Sequence, residues 1–266
     1  MSNITVTHSA SGLVQAEVVR AERITPHMMR VTFGGDDLAR FEFRGFDQWF
    51  RLALPVRGEE ALARLPHRFG MGGTLKWLAM GKEHRPVIRN YTVRDFRPEV
   101  RELDVDFVVH GDDGIAGPWA QRAEPGERVA FIDQGCGWRG LPSDWQLIVA
   151  DESGLPAALG ILRDLPRDAR GHAVIELFDD RDRQDVEAPA GVTVHWLVRD
   201  PAAAPGERAL PFLRELELPD GVPYAFVVGE QALASGARRH LVKDRGIDRR
   251  QVTFSGYWKR GAATIG

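Results

Sequence analysis

Leu141-Pro142-Ser143-Asp144-Trp145-Gln146-Leu147-Ile148-Val149-Ala150-Asp151-Glu152-Ser153-Gly154-Leu155-Pro156-Ala157 marks the point where the grammar of this chain changes. A Pro-Ser-Asp turn leads into a run that is apolar from Trp145 to Ala150 apart from Gln146, after which a helical pattern begins at Pro156. A short continuous apolar run followed by a helix reads as a strand buried on both faces of a parallel sheet. Downstream the alternation continues, with strands predicted at 173–178, 192–197, 224–228 and 251–255 and helical patterns at 156–163, 208–216 and 231–245. Strands separated by helices imply βαβ units, hence a doubly wound, mostly parallel sheet.

Upstream of residue 141 the pattern is different. Short β-rich runs at 12–23, 28–33, 49–55, 88–94, 102–110 and 127–133 are punctuated by turns such as Gly34-Gly35-Asp36-Asp37 and Pro125-Gly126. This spacing predicts an antiparallel barrel or sandwich. Two domains are therefore expected, a six-stranded β domain over 1–141 and an α/β domain over 142–266.

Composition excludes several function classes. The 266 residues carry a net charge of -3, with 43% apolar and 27% charged residues, so there is no global pull toward nucleic acid or an anionic membrane. A single cysteine, Cys136, rules out an intramolecular disulfide framework and any multi-cysteine metal site built from this chain alone. Met1-Ser2-Asn3-Ile4-Thr5-Val6 has no basic segment followed by an apolar run, and no apolar stretch approaches membrane-spanning length. A cytoplasmic, monomeric protein without membrane insertion or a protein metal site is expected.

Three stretches carry chemistry. Arg89-Asn90-Tyr91-Thr92 places planar fixed-charge donors beside an aromatic ring and a hydroxyl, which suits a diphosphate joined to a flat heterocycle. His110-Gly111-Asp112-Asp113-Gly114-Ile115-Ala116-Gly117-Pro118-Trp119-Ala120 puts glycines ahead of a helix start, where backbone N–H groups can approach an anion. Asp151-Glu152-Ser153-Gly154 lies at the carboxyl end of the first α/β strand, where open sheets bind nucleotides, but it lacks the G-x-G-x-x-G fingerprint. Arg181 and Arg183 could meet a phosphate group, but Asp179, Asp180 and Asp182 interleave with them and oppose it.

Asp47-Gln48, Arg85-Pro86-x-x-Arg89-x-Tyr91-Thr92-Val93-Arg94, Asp106-Phe107-Val108-Val109-His110-Gly111, Gly114-Ile115-Ala116-Gly117-Pro118-Trp119-Ala120 and Ser255-Gly256-Tyr257-Trp258-Lys259-Arg260-Gly261 together resemble the siderophore-interacting protein family. The resemblance runs from Val18 to Gly261 and implies an FAD-binding barrel followed by an NAD(P)H-binding domain. It also implies that Arg89, Tyr91 and Thr92 hold the flavin and its diphosphate. Asp106, Val108, His110, Gly114, Ala116, Gly117 and Trp119 would surround the rest of the FAD, while Ser153, Gly154 and Pro156 would line the nicotinamide approach. Many relatives read G-P-A-S-x-W at 114–119, so a serine contact to phosphate is missing here. Relatives often carry W-L-H-R where this chain has Trp196-Leu197-Val198-Arg199. Trp258 is the aromatic expected to cover the flavin, and Lys259 is grouped with it as catalytic.

The implied substrate is a ferric siderophore, reduced by electrons that NADPH or NADH supplies through FAD. Residues 57–85 carry six Arg or Lys and three Glu, a local charge of +3 suited to an anionic chelate. Arg51, Lys76, Arg85, Lys259 and Arg260 are the candidate substrate residues. Two other functions share these features. One is a general NAD(P)H:flavin or quinone reductase, and the other is a siderophore-binding flavoprotein reduced by an external donor, which the missing glycine fingerprint favours.

Overall fold

The computed structural model describes residues 2–6, 12–54, 62, 65, 75, 86–109 and 114–262. Two compact units divide the chain, one spanning Val6–Cys136 and the other beginning at Gly137 and including the N-terminal residues up to Thr5. The N-terminal segment joins the second unit through Asn3, whose Nδ2 donates to the Val252 carbonyl while its Oδ1 accepts the Phe254 N–H.

The first unit is a seven-stranded antiparallel sheet made of β1 (Leu13–Thr25), β2 (Met28–Gly34), β3 (Trp49–Leu54), β4 (Val87–Thr92), β5 (Asp95–Arg97), β6 (Glu102–Val108) and β7 (Arg128–Gly135). Their order is β4-β3-β7-β1-β2-β6-β5. The sequence predicts six strands, and the seventh is β5. Three residues are too few to show an alternation, yet Asp95 to Arg97 form a hairpin onto Asp104 to Glu102. Alternate residues of every long strand face one core: Val14, Ala16 and Val18, Val31 and Phe33, Phe50 and Leu52, Leu103, Val105 and Phe107, and Phe131. Full burial of such side chains contributes roughly 1.5–3 kcal/mol each. Helix α1 (Ala116–Arg122) adds Ala116, Trp119 and Ala120 to this core. Strand β4 also lies against β6, so the sheet curls into a barrel.

The other face of β2 and β6 is polar. Arg30 pairs with both oxygens of Asp106 at 2.7 and 2.9 Å, and the Thr32 hydroxyl donates to Asp104 at 2.6 Å. Arg97 reaches Asp104 and Glu102 from β5. A smaller apolar cluster on the outer side of β3 and β7 joins Ala53, Ala130 and Ile132 with Leu62 and Leu65, so two residues of the basic segment are packed rather than solvated.

The second unit contains β8 (Trp145–Ala150), α2 (Leu155–Asp164), β9 (Arg170–Leu177), β10 (Gly191–Val198), α3 (Ala209–Glu215), β11 (Pro223–Glu230), α4 (Gln231–Arg239) and β12 (Val252–Trp258). All pairs are parallel, in the order β10-β9-β8-β11-β12. Helices α3 and α4 cover one face through Ala209, Leu213, Leu233, Ala234 and Ala237. The turn into α2 presses on the other face, where a Cβ on Gly154 would meet Ala150 and Val228 at 3.0 and 2.8 Å. Doubly wound topology follows, with the order reversing at β8.

Two sequence boundaries move. The helical pattern at 231–245 ends as a helix at Arg239 and continues as one π turn over His240–Asp244, closed by the Arg245 N–H donating to the His240 carbonyl at 3.1 Å. The last strand continues three residues beyond 255, so Gly256-Tyr257-Trp258 belongs to β12 instead of following it. A shift of register lets Glu230 pair with Trp258 after Gly229 has paired with Gly256. Pairing along β11 extends the strand past the point where the apolar run stops.

Candidate functional site

In the barrel, Arg89 and Tyr91 stand opposite Leu52 and Phe50 of β3, and opposed residues of an antiparallel pair share a face. Tyr91 continues the core outward, its ring 4.2 Å from Phe107, which lies 5.7 Å from Trp119. Burial pushes the Tyr91 phenol well above its ordinary range, so it stays a neutral donor. Arg89 is half-buried, and burial lowers its pKa, with only Tyr91 acting against that loss. Its Nη1 donates to the Ile88 carbonyl at 2.8 Å, and among the described residues no carboxylate pairs with it. A desolvated guanidinium of this kind suits an anion with planar acceptors such as a diphosphate. Thr92 alternates to the opposite face beside Trp49 and is buried.

Gly117 is held against the end of β6: a Cβ there would meet the Val108 carbonyl at 3.2 Å. Gly114 has φ +90°, a conformation that glycine adopts without strain. The start of α1 at Ala116 has no side-chain cap. The first N–H groups of α1, at Ala116 and Gly117, therefore have no side-chain acceptor from the cap position.

In the α/β unit the carboxyl ends of the strands converge on buried acids. The Asp151 carboxylate, at the end of β8, accepts five hydrogen bonds. Oδ1 takes the Ser153 N–H at 2.9 Å, the Ser153 hydroxyl at 2.5 Å and the Gly154 N–H at 3.2 Å. Oδ2 takes the Glu230 N–H at 2.6 Å and the Trp258 indole at 3.2 Å. Burial raises the Asp151 pKa against these donors. Glu152 is clamped by Arg199 and pushed up to about 7, chiefly by burial, with the neighbouring Asp151 charge adding. Glu230 caps α4 by accepting from Ala232 and Leu233, while its other oxygen takes the Arg260 N–H at 3.1 Å.

Residues 17–137 match the family described as siderophore-interacting FAD-binding domain, and residues 143–261 match the one described as siderophore-interacting protein. The ferric vibriobactin reductase ViuB of Vibrio cholerae is 34% identical over 249 residues, covering 92% of this chain and 89% of that protein. The chain belongs to the siderophore-interacting protein family. The NADPH-dependent ferric-chelate reductase of Escherichia coli is 30% identical over 250 residues, covering 91% of each chain. A siderophore utilization protein from T. fusca superposes with a TM-score of 0.81 at 34% identity over 99% of both chains.

Against this family's expected residues, the structure brings Arg89 and Tyr91 onto one face and joins Tyr91 through Phe107 to Trp119. The indole of Trp119 itself is buried in the core, with Nε1 donating to Glu127 at 2.9 Å. Asp106 is buried and occupied by Arg30, and Val108 stands opposite Met28. Gln48, quoted within the family motif, is wholly buried: it donates to the Glu42 carbonyl and Asp133 and accepts the Arg44 N–H. Pro156 is the second residue of α2, and Ser153 and Gly154 form the turn before it. His110, Lys76 and Arg85, with most of 57–85, lie outside the described residues. Arg51 stands opposite Asn90, on the face away from Arg89, and burial lowers its pKa. Arg260 donates from Nη2 to the Ala202 carbonyl at 2.9 Å, whereas Lys259 is exposed.

Sequence reading places Asp151 in a nucleotide-site stretch without giving it a role of its own, and misses Glu176 and Glu230. A polar residue just after an apolar strand run was the available signal, but its buried partners come from positions tens of residues away.

Proposed function

We propose that this protein is a ferric-siderophore reductase that takes electrons from NADPH or NADH through FAD and releases iron as Fe(II) in the cytoplasm. Relatives of similar length carry the names ferric vibriobactin reductase and NADPH-dependent ferric-chelate reductase. The structural observation that carries the cofactor part is the half-buried Arg89 without a carboxylate partner beside Tyr91. Arg89 would hold the diphosphate, Tyr91 and Thr92 the ring, and the backbone around Gly114 to Gly117 the remaining polar groups. When bound, FAD supplies the change from two-electron acceptance to one-electron delivery.

The chain's own residues position and shield. The Tyr91–Phe107–Trp119 row gives a rigid apolar floor, and the neutral phenol keeps a proton at its oxygen. The Ser153–Gly154 turn and Trp258 border the expected nicotinamide site at the carboxyl ends of the strands. Lys259, exposed on the tail, contributes positive charge for an anionic chelate. Iron enters as the ferric chelate and leaves as Fe(II), as substrate and product. Hard siderophore oxygens hold Fe(II) less tightly than Fe(III), so no protein ligand is needed for release.

One observation favours the reading with an external donor: the Ser153 and Gly154 N–H groups, free to bind phosphate in many nucleotide turns, donate here to Asp151. Anaerobic mixing with NADPH and with NADH separates the two. Bleaching of the flavin by either supports direct reduction, and a flavin that stays oxidised with both leaves the external donor. Turnover with ferric siderophores set against quinones and free flavins tests the acceptor; brisk quinone turnover with no ferric-chelate activity would overturn the iron reading.

A further inference from the structure

We propose that Asp151 is a positioning residue that couples the β8–α2 turn to the Trp258 indole, so that nucleotide contact at Ser153 and Gly154 shifts the tail aromatic. The site is the one assigned above, and the coupling rests on that reading.

The geometry is specific. One planar carboxylate serves two groups of donors: Oδ1 holds only the Ser153–Gly154 turn, and Oδ2 holds only Glu230 and Trp258. The two oxygens are fixed relative to one another, so any rotation that follows the turn carries Oδ2 away from the indole. Asp151 has no room to adjust otherwise. It is fully buried, and Gly229 crosses over it with φ +125°, so close that a Cβ there would stand 2.6 Å from the carboxylate carbon.

Trp258 is aimed at this carboxylate by an irregularity in the strand. Between Gly229 and Glu230 of β11 the partner advances from Gly256 to Trp258, leaving Tyr257 as the extra residue of a bulge. A bulge reverses the face on which the next side chain emerges, and bulges recur beside functional sites for that reason. Without it Trp258 would sit on the same face as Gly256. The indole is only partly buried, so its nitrogen is pinned while part of its surface remains available to a neighbour.

Two readouts test the coupling. The first needs neither flavin nor turnover: the 1H–15N indole resonance of Trp258, assigned by its loss in W258F. In wild type it lies downfield because a carboxylate accepts it; D151N moves it upfield. S153A removes a donor from the opposite oxygen only and is expected to move the same resonance by a measurable fraction of that shift. A Trp258 resonance unmoved in S153A overturns the coupling, including in the case where D151N fails to fold. The second readout is anaerobic reduction of the flavin by NADPH. D151N is expected to slow it about tenfold in the wild-type background and less than about twofold in W258F. Equal slowing in both backgrounds overturns the proposal, because Asp151 would then act independently of Trp258. If NADPH and NADH reduce no variant, wild type included, the direct-reductase reading fails while the S153A resonance still decides the coupling.

Discussion

Arg199 grips both carboxylate oxygens of Glu152, Nη2 to Oε1 at 2.7 Å and Nη1 to Oε2 at 2.8 Å, with both side chains buried. Nη1 also stands 3.5 Å from Glu176, whose carboxylate accepts the N–H groups of Gly206, Arg208 and Ala209 at the start of α3. The guanidinium thus neutralises two buried acids. Arg199→Met leaves both uncompensated and is expected to cost about 3–5 kcal/mol in urea unfolding. Adding Glu152→Gln should restore part of that loss, whereas a single-mutant cost below about 1 kcal/mol would show that water reaches the pair.

Glu152 also makes stability depend on pH. Its folded pKa of about 7 lies above the ordinary 4.5, because burial and the Asp151 charge outweigh Arg199. The folded state therefore binds the proton more tightly, and its advantage is complete below about pH 4.5 and lost as pH rises through about 7. Urea midpoints measured between about pH 5 and 8 are expected to fall with rising pH, and Glu152→Gln should flatten that slope. A slope unchanged in the variant would assign it to other groups.

Most of the fold was legible because periodicity survives in single elements: the run Trp145 to Ala150 and the alternation in Leu103, Val105 and Phe107 announce their strands directly. Strand β5 was not, since three residues carry no period, and Trp258 was placed after β12 because only pairing with β11 carries the strand that far. Within the site, Arg89 and Tyr91 could be read because their chemistry is local to one strand. Asp151 could not, because its meaning depends on Glu230 and Trp258, which the parallel sheet brings back from more than seventy residues away.

The basic tail divides into two roles. Arg260 is held by its backbone N–H on Glu230 and by Nη2 on the Ala202 carbonyl, while Lys259 is exposed and, among the described residues, its carbonyl, not its ammonium, is engaged, by the Ala262 N–H at 3.1 Å. Lys259→Ala is expected to raise the KM for anionic ferric chelates about two- to fivefold at low salt, with the effect shrinking as salt screens it. Neutral chelates should be unaffected. Equal effects on both would remove the charge argument, and Arg260→Ala should instead show itself as a lower urea midpoint.

Arg89 gives the sharpest test of the flavin site. Half-buried, uncompensated by any carboxylate among the described residues and lowered in pKa by burial, it is a cation that a bound anion would compensate. Arg89→Ala is therefore expected to weaken FAD binding by about 2–4 kcal/mol while leaving the apo barrel as stable or slightly more so. Arg89→Lys should fall between, because an ammonium keeps the charge but loses the planar bidentate grip. Titration of apo-protein with FAD, read by quenching of flavin fluorescence beside urea unfolding of the same samples, separates the two quantities. Unchanged FAD affinity in Arg89→Ala would place the diphosphate elsewhere on the barrel and leave this guanidinium a purely structural feature of β4.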